Sequence, residues 1–350
     1  MRADGVRGFQ HDDLAPGNGE FARDGEPDNA CADNCAIHLF SHNVLFRMAI
    51  LRGTHVTRMP PRSCMADYWN TDWLNRSDLF APLRAVGARL PGIGWPNPDL
   101  LNALADDAGR VVNAQGLRIR FVPPAPRSKD FQAGFEPRAF LKGEVQLRPL
   151  DWHDLFNALV WITFPTTKAV INARHYESLS GESVSGAQTG NRPPARDALT
   201  LFDEDGMVIL SSDAGLLELV REFRWKELFW IRREQVRKRM RFFLFGHALY
   251  HKALSPFVGM TGKAVLLSVP DAFAQLPLNS QIAETDRLLA AHVWDRTRMS
   301  HGRELAPLPV LGVPGWWGGN EQESFYENTD YFRPGRDSSD ERTQGLSSSA

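Results

Sequence analysis

The sequence predicts an α+β fold: a mainly helical single domain with short β-hairpins and an extended C-terminal arm rich in aromatic residues, proline and glycine. Hydrophobic residues make up 43% and aromatic residues 10% of the 350 residues, which is enough apolar material for a sizeable core. Segments with a helical apolar period and segments with alternating apolar residues do not follow one another in regular order. An extended parallel sheet is therefore not expected.

Composition divides the chain into three parts. Residues 65–336 are predicted to form the globular domain. Residues 1–64 are interpreted as an extension, because residues 1–36 are polar and lack any apolar period, which is typical of disorder. Met65 is an alternative start of the chain, since recognisable helix and turn patterns begin after it. The serine-rich residues 337–350 are expected to be a disordered tail.

All three cysteines lie in the extension. Cys31, Cys35 and His38 have a spacing that resembles a zinc site, with His42 or Cys64 as the fourth ligand. The alternative is that all three are free thiols in a reducing cytosol.

The charge balance excludes a general attraction to polyanions. The formal net charge is −2, so binding to nucleic acid or to an anionic membrane would need a local basic patch. The most apolar stretch, residues 155–164, is well short of the ~20 residues that cross a bilayer. No secretion signal opens the chain. We therefore expect a soluble cytoplasmic protein without a membrane partner.

Residues 98–122 predict a helix followed by a hairpin. Asn97 is a suitable N-cap, Pro98 suits the first helical position, and Gly109 is a typical helix stop. The segment RVVNAQGLRIRFV, residues 110–122, then has the alternation and the central turn of a β-hairpin.

A second helix is predicted in the segment PLDWHDLFNALVWITFP. Asp151 is its N-cap, the helix extends to Phe164, and Pro165 ends it. The polar residues 178–197 after it are longer than most connections inside a compact domain, which predicts a lid or a flexible insertion.

The segment ALTLFDEDGMVIL, residues 198–210, is predicted to be a second hairpin with its turn at residues 203–206. Its acidic residues suggest a metal, but turn chemistry accounts for the Asp-Gly pair without one.

Residues 224–254 predict one or two helices with an apolar stripe. Residues 221–252 hold ten Lys or Arg against three Glu, so this basic helix could lie along phosphates. A solvated outer face is the favoured interpretation, because the chain has no recognisable nucleic-acid module. A strand over residues 263–269 and a helix over residues 279–294 follow.

One face of the helix after Asp151 is polar although the rest of it is apolar. At ~100° per residue, four side chains fall on one arc: His153, Asp154, Asn157 and Trp161. In a structural interpretation they cap the helix and bind neighbouring backbone. In a functional one His153 is a general base or metal ligand, Asp154 orients it or binds the metal beside it, and Asn157 positions a substrate.

His247 is the second candidate histidine. It projects from the apolar stripe beside Gly246, whose missing side chain permits close approach of another element. A histidine in this position is either a hydrogen-bonded core residue or a partner of His153. Together the two could hold a divalent metal or act as base and acid. His175 is a third candidate.

The arm, residues 308–336, combines glycine and proline with many aromatic residues. It is interpreted either as a set of aromatic anchors in core gaps or as a loop that closes a ligand pocket. With the residues above, the arm completes the predicted substrate-binding set: Trp161, His175, Trp316, Trp317, Asn320, Tyr326 and Arg333.

Four blocks, in order, resemble a known bacterial family. They are PLDWHDLFNALVWITFPTTKAVINARH, DALTLFDEDG, RFFLFGHALYHKAL and LPVLGVPGWWGGN with the FY and YFRP that follow it. They are similar to the family called domain of unknown function 3025, over about residues 68–336. The resemblance implies no activity and no catalytic residues.

The function expected from the residues is a hydrolytic enzyme that acts on a small-molecule ligand, with or without a divalent metal. Its predicted catalytic residues are His153, Asp154, Asn157 and His247. The alternative is a non-enzymatic binding protein that uses the basic residues 221–252 on nucleic acid or on an acidic partner.

Overall fold

The computed structural model describes residues 69–185 and 193–335. The predictions for residues 1–64, including the Cys31, Cys35 and His38 site, lie outside the described residues. So do the predicted tail, residues 337–350, and the middle of the polar segment.

Helices dominate the described part of the chain. In it the α-helices are α1 Trp73–Arg76, α2 Arg84–Gly87, α3 Pro98–Ala108, α4 Phe135–Lys142, α5 Trp152–Thr163, α6 Pro165–Ser185, α7 Pro194–Asp205, α8 Ala214–Arg221, α9 Arg233–Arg239, α10 His247–Ala253 and α11 Leu278–Trp294. The strands are β1 Arg120–Val122, β2 Glu144–Gln146, β3 Gly206–Ser211, β4 Met240–Leu244, β5 Thr261–Ser268 and β6 Ala306–Pro309. The mainly helical α+β class is confirmed.

Helix ends with clear capping residues are where the sequence predicts them. The Asn97 side chain accepts a hydrogen bond from the amide of Leu100 at 2.9 Å, and Gly109 ends α3 in the left-handed conformation. The Asp151 side chain caps α5 through the amide of Asp154 at 3.0 Å. The strand at residues 263–269 and the helix at residues 279–294 are confirmed as β5 and α11.

The two hairpins are not formed as predicted. Residues 110–122 contain a turn closed by one bridge, Val112 to Arg118, after which β1 pairs in parallel with β2. Residues 198–205 are the end of α7 and not a strand, because Ala198, Leu199 and Phe202 are buried at helical spacing.

The two other long segments also differ from prediction. Residues 224–254 form a π-helical turn Glu227–Ile231, then α9, β4 and α10. The segment therefore contains two helices, which is one of the two predicted alternatives, but the strand between them was not predicted. The start of the polar segment continues α6 to Ser185, and its end is the first turn of α7.

A four-stranded sheet in the order β4-β3-β5-β6 forms the centre of the fold. The β3–β5 pair is parallel and the two outer pairs are antiparallel. All six residues of β3 are buried, as expected for a continuous apolar strand covered on both faces. Helices α7 and α11 pack on β5, α6 packs on α11 and α7, and α5 packs on α6 and α10. In the described ranges, no helix is both long enough and apolar enough to cross a membrane.

The C-terminal arm is irregular, as predicted, and is built from short 3-10 turns after β6. Its aromatic side chains Trp316, Tyr326, Tyr331 and Phe332 are buried. They pack against the core and so compensate for the lack of regular hydrogen bonding.

Two junctions between a helix and a strand are in backbone contact at Gly246. The amides of Phe245 and Gly246 both donate to the carbonyl of Gly206 at 2.9 Å, which joins the β4–α10 junction to the α7–β3 junction. A Cβ at Gly246 would lie 2.3 Å from the carbonyl oxygen of Glu204 and 2.4 Å from the amide nitrogen of Gly206. Only glycine permits this approach.

We expect Gly246→Ala to lower the free energy of unfolding by about 2 kcal/mol or more, because backbone must move to admit the methyl group. Urea unfolding followed by circular dichroism measures the change. The matched control is Gly181→Ala, on an open face of α6, which should be neutral or slightly stabilising. Equal stability of the two variants would contradict the close approach.

Candidate functional site

The structure brings the two predicted histidines into contact. His153 is the second residue of α5, and His247 is the first residue of α10. Their Nε2 atoms are 3.1 Å apart, and the two rings are close to perpendicular. The packing of α5 on α10 sets this distance, and the ring stack of Phe156 on Tyr250 is part of that packing. Of the two interpretations of His247, a core residue or a partner of His153, the contact corresponds to the second.

Two carboxylates from the last turn of α7 lie beside this pair. Asp203 Oδ2 is 3.7 Å from His247 Nδ1, and Glu204 Oε1 is 3.8 Å from His247 Nε2. The α7–β3 junction is hydrogen-bonded to the β4–α10 junction at Gly246, so the last turn of α7 lies beside the first residue of α10. Both carboxylates are therefore close to His247. His247 thus has a carboxylate near each ring nitrogen.

A buried lysine from α6 completes the arrangement. Lys168 Nζ donates to both oxygens of Asp203, at 2.6 and 2.8 Å, and to Asn157 Oδ1 at 2.9 Å. The same ammonium lies 5.4 Å from the centre of the Trp161 ring. Three acceptors for three N–H groups satisfy a cation that would otherwise be costly to bury. We name the following set the histidine site: His153, Asn157, Lys168, Asp203, Glu204 and His247.

Burial sets the charges in the histidine site. It holds the pKa of His247 well below the usual value, and His153 and Lys168 add to this effect. Burial also lowers the pKa of His153, although Asp154 and Asp151 oppose it. Both imidazoles are therefore neutral at pH 7, and one Nε2 donates to the other. Burial, followed by repulsion from Asp203 and Asp205, raises the pKa of Glu204 to about 7.

A further carboxyl group lies near Asp203. Burial, opposed by a hydrogen bond from Asn172 and assisted by the charge of Asp203, raises the pKa of Glu136 to about 7. That bond runs from Asn172 Nδ2 to Glu136 Oε2 at 2.6 Å. Asn172 follows Lys168 by one turn of α6, so it lies on the same face of the helix.

Several buried polar atoms in and around the histidine site have no hydrogen-bond partner among the described residues. They are His247 Nδ1, Trp161 Nε1 and Asn172 Oδ1. Buried polar groups are costly unless they are bonded, so such atoms are typical of places that take up water or a ligand.

The other predicted catalytic residues have structural partners. Asp154 accepts hydrogen bonds from the backbone amide and the guanidinium of Arg148, at 2.7 to 2.8 Å. It therefore acts on His153 only through its charge and does not orient it. Asn157 belongs to the site through Lys168. His175 is buried on α6, two turns beyond Lys168.

The arm residues are bonded mainly to the arm itself. Asn320 donates to the carbonyls of Leu311 and Val313, and Tyr326 donates to the carbonyl of Gly312. Arg233 of α9 donates to the Asn320 carbonyl and to the Tyr326 hydroxyl, both at 3.1 Å.

The remaining arm residues also have packing roles. Trp316 packs on Phe242 of β4. Trp317 packs on the core as a partly buried residue. Arg333 donates to the Asp330 carbonyl at 3.0 Å. These contacts agree with the interpretation of the arm as a set of anchors. The ligand-pocket interpretation needs free polar atoms on the arm, and these atoms are bonded within the protein.

Sequence reasoning missed Lys168, Asp203 and Glu204 as site residues. Asp203 and Glu204 were assigned to a hairpin turn, although Pro194 and Asp197 at the start of the segment favour a helix. Lys168 had a visible signal, because it is a charged residue inside the apolar helix that follows Pro165.

A surface groove of about 750 Å³ lies at the opposite end of α5. It is lined by residues of α5, α6, α11 and the segment after β5, among them Ile162, Phe273 and Asp286. It contains no residue of the histidine site. Of the two locations, the histidine site has the reactive groups.

The basic residues 221–252 are largely paired with acidic ones. The pairs are Arg221–Glu218, Arg224–Glu222, Arg224–Glu227, Lys226–Glu323, Arg232–Glu227, Arg233–Glu321, Arg237–Glu234, Arg239–Asp213 and Lys252–Asp205. Such pairing removes most of the local positive field that phosphates would need.

The donor types and distances of the site also suit a metal ion. One ligand atom each from His153, Glu204 and His247 lies within 4.8 Å of the other two. Imidazole and carboxylate groups are typical ligands of first-row divalent metals.

These observations define an α+β protein with a partly buried histidine and carboxylate site between helices. A family model described as "Protein of unknown function (DUF3025)" matches residues 119–336, which is more than half of the chain. The chain belongs to this family, as its four sequence blocks predict, although the match begins at residue 119 and not near residue 68. No curated protein and no solved structure matches the chain.

Removal of one partner of the buried ion pair should be strongly destabilising. We expect Lys168→Met to cost about 3–5 kcal/mol of unfolding free energy, because it leaves the Asp203 carboxylate buried without its cation. The double variant Lys168→Met/Asp203→Asn should recover at least half of that loss. Chemical denaturation of wild type, Lys168→Met, Asp203→Asn and the double variant measures the coupling.

The control for this cycle is Lys226→Met, which removes an exposed pair with Glu323 and should leave the unfolding midpoint nearly unchanged. A double variant no more stable than Lys168→Met alone would show that Asp203 does not depend on Lys168.

Glu136 should make stability dependent on pH. The folded protein binds the Glu136 proton more tightly than the unfolded chain, so its contribution to stability is lost as pH rises from about 4.5 to about 7. Glu136→Gln has no proton to lose, so its stability relative to wild type should rise by about 1–3 kcal/mol across this range. Urea titrations at several pH values, with a chelator present, measure the difference, and parallel pH profiles of the two proteins would contradict the assignment.

Proposed function

We propose that this protein is a hydrolytic enzyme for a small molecule, with the histidine site as its active site. The observation that carries the proposal is the 3.1 Å approach of His153 Nε2 to His247 Nε2, between residues 94 positions apart in the chain. Carboxylate oxygens of Asp203 and Glu204 lie within 4 Å of His247. Two neutral imidazoles with nearby carboxylates form a typical arrangement for proton transfer.

His153 is the better candidate for the general base. It is partly exposed, whereas His247 is buried, so water can approach His153 from the solvent side. In the proposed reaction His153 takes a proton from the water that attacks the substrate. It then returns this proton to the leaving group.

The remaining residues of the site support this pair. The charge of Asp203 favours the imidazolium that forms on His153, although Asp203 lies beside His247 and does not contact His153. Asn157 and Lys168 hold Asp203 in place through the bonds of Lys168 Nζ. They act by positioning and do not touch the reacting atoms.

A cytoplasmic location and a bacterial source belong to the same proposal and rest on the sequence patterns. The alternative function, a binding protein that uses residues 221–252 on nucleic acid or an acidic partner, has less support. That segment is not one helix, and its charges are largely paired.

The experiment is a hydrolysis assay with chromogenic esters, amides and phosphate esters. We expect wild-type protein to turn over one of these classes and His153→Ala to reduce kcat/KM about 10²- to 10⁴-fold, because it removes the base. Circular dichroism and thermal unfolding establish that the variant is folded.

The control variant is His301→Ala, an exposed histidine whose ring is paired only with Glu304 among the described residues. It should keep wild-type kcat/KM. Turnover that survives in His153→Ala, or no turnover of any class by folded wild-type protein, would contradict the proposal.

A further inference from the structure

The distance between the two histidines fits a shared metal ion. Zinc binds histidine nitrogen at about 2.0–2.1 Å, so two ligands of a tetrahedral ion lie about 3.3 Å apart. The Nε2 atoms of His153 and His247 are 3.1 Å apart. We propose that His153, His247 and Glu204 bind one first-row divalent transition metal, with Zn²⁺ as the reference ion.

Glu204 supplies the third ligand. Its Oε1 lies 3.8 Å from His247 Nε2, and all three ligand atoms lie within 4.8 Å of one another. The 3.8 Å distance exceeds the ~3.3 Å spacing of two ligands on a tetrahedral ion, so the Glu204 side chain would have to move towards the nitrogens when the metal binds. Two imidazoles and one carboxylate favour zinc, iron, cobalt or manganese over the hard ions Mg²⁺ and Ca²⁺, which prefer oxygen ligands.

Asp203 is placed to orient the metal-bound form of His247. A metal on Nε2 requires the proton to be on Nδ1, and histidine ligands almost always donate that proton to a neighbouring acceptor. Nδ1 of His247 is buried without a hydrogen-bond partner, and Asp203 Oδ2 is 3.7 Å from it. Asp203 Oδ2 is therefore the carboxylate oxygen placed to accept this proton, once the 3.7 Å separation shortens to hydrogen-bond length.

The charges of the site also accommodate a dication. The Asp203 charge is matched by Lys168 at 2.6 Å, and the Asp205 charge is matched by Lys252 at 2.7 Å. An ionised Glu204 between these pairs adds negative charge beside two neutral imidazoles. A divalent cation would stabilise that ionised form.

The fourth coordination position would face solvent. His153 and Glu204 are partly exposed, whereas His247 is buried, so the open side lies away from α10. Three protein ligands with one open position are typical of catalytic zinc sites, where the metal activates a bound water. With the metal bound, His153 is a ligand and no longer the base, so the metal would take over the activation of the attacking water. The inference rests on the proposed function for the reaction class alone, and metal binding itself is tested without any substrate.

The experiment is a Co²⁺ titration of the full-length, tag-free protein after treatment with a chelator that is then removed. We expect one equivalent of Co²⁺ to produce visible d–d absorption and one equivalent of Zn²⁺ to displace it. His153→Ala and Glu204→Gln should each lose this equivalent. Asp203→Asn should bind about 10- to 100-fold more weakly, because it removes the group that orients His247.

Two controls separate the site from other donors. Cys31→Ser/Cys35→Ser should keep the same visible spectrum, whereas cobalt bound by thiolates would add a charge-transfer band in the near ultraviolet. His301→Ala should also keep it. If His153→Ala proves unfolded, His153→Gln takes its place.

The outcomes are distinct. Loss of one equivalent in the folded ligand variants supports the inference. Undiminished binding in both ligand variants, or no binding by folded wild-type protein, overturns it. Metal binding without hydrolysis would leave the inference standing and remove the proposed function, and hydrolysis without metal binding would do the reverse.

Discussion

The contact of Gly246 with the backbone of residues 204–206 is the constraint on which the centre of this structure depends. Two backbone amides donate to the carbonyl of Gly206 there, at the point where α7 turns into β3 and β4 turns into α10. A side chain at Gly246 would overlap main-chain atoms of α7 and β3. The sheet and the helix pair α7 and α10 are thus joined there through their backbones, and the ends of both helices meet at this point.

The same junction explains why a polar site exists inside an apolar region. A helix end leaves polar backbone groups without partners, so polar side chains are tolerated there better than in a helix centre. Asp203 and Glu204 occupy one such end, and His153 and His247 occupy two others. Lys168 comes from within α6, and its ammonium can be buried there only because it donates to three acceptors. Burial of the side chains at helix ends thus costs little free energy, whereas burial of the Lys168 ammonium costs much more.

The outer part of the molecule is held together by contacts between the basic segment and the C-terminal arm. Residues 221–252 and the arm lie together, and Arg233 joins them through bonds to Asn320 and Tyr326. The glutamates of the arm neutralise basic side chains such as Lys226. The positive charge that the sequence concentrates in one segment is therefore neutralised by acidic residues of the same protein. The aromatic residues of the arm anchor its irregular backbone to the core.

Much of this structure could be predicted from the sequence, because it depends on the chemistry of neighbouring residues. The caps of α3 and α5, the strand β5, the helix α11 and the irregular arm follow from hydrogen bonds and backbone preferences of a few neighbouring residues. The polar stripe with His153 and the glycine before His247 could be identified for the same reason. Both are patterns within one turn or one helix.

Only the tertiary structure decided which side chains meet. Residues 198–205 have an alternation that suits a strand and a spacing that suits a helix, and burial of Phe202 against the core selects the helix. That choice moves Asp203 and Glu204 from an exposed turn to His247, while Arg148 takes Asp154 away from His153. The sequence determined the types of group available, and packing of distant segments determined their partners, because distances across a core depend on every residue that fills it.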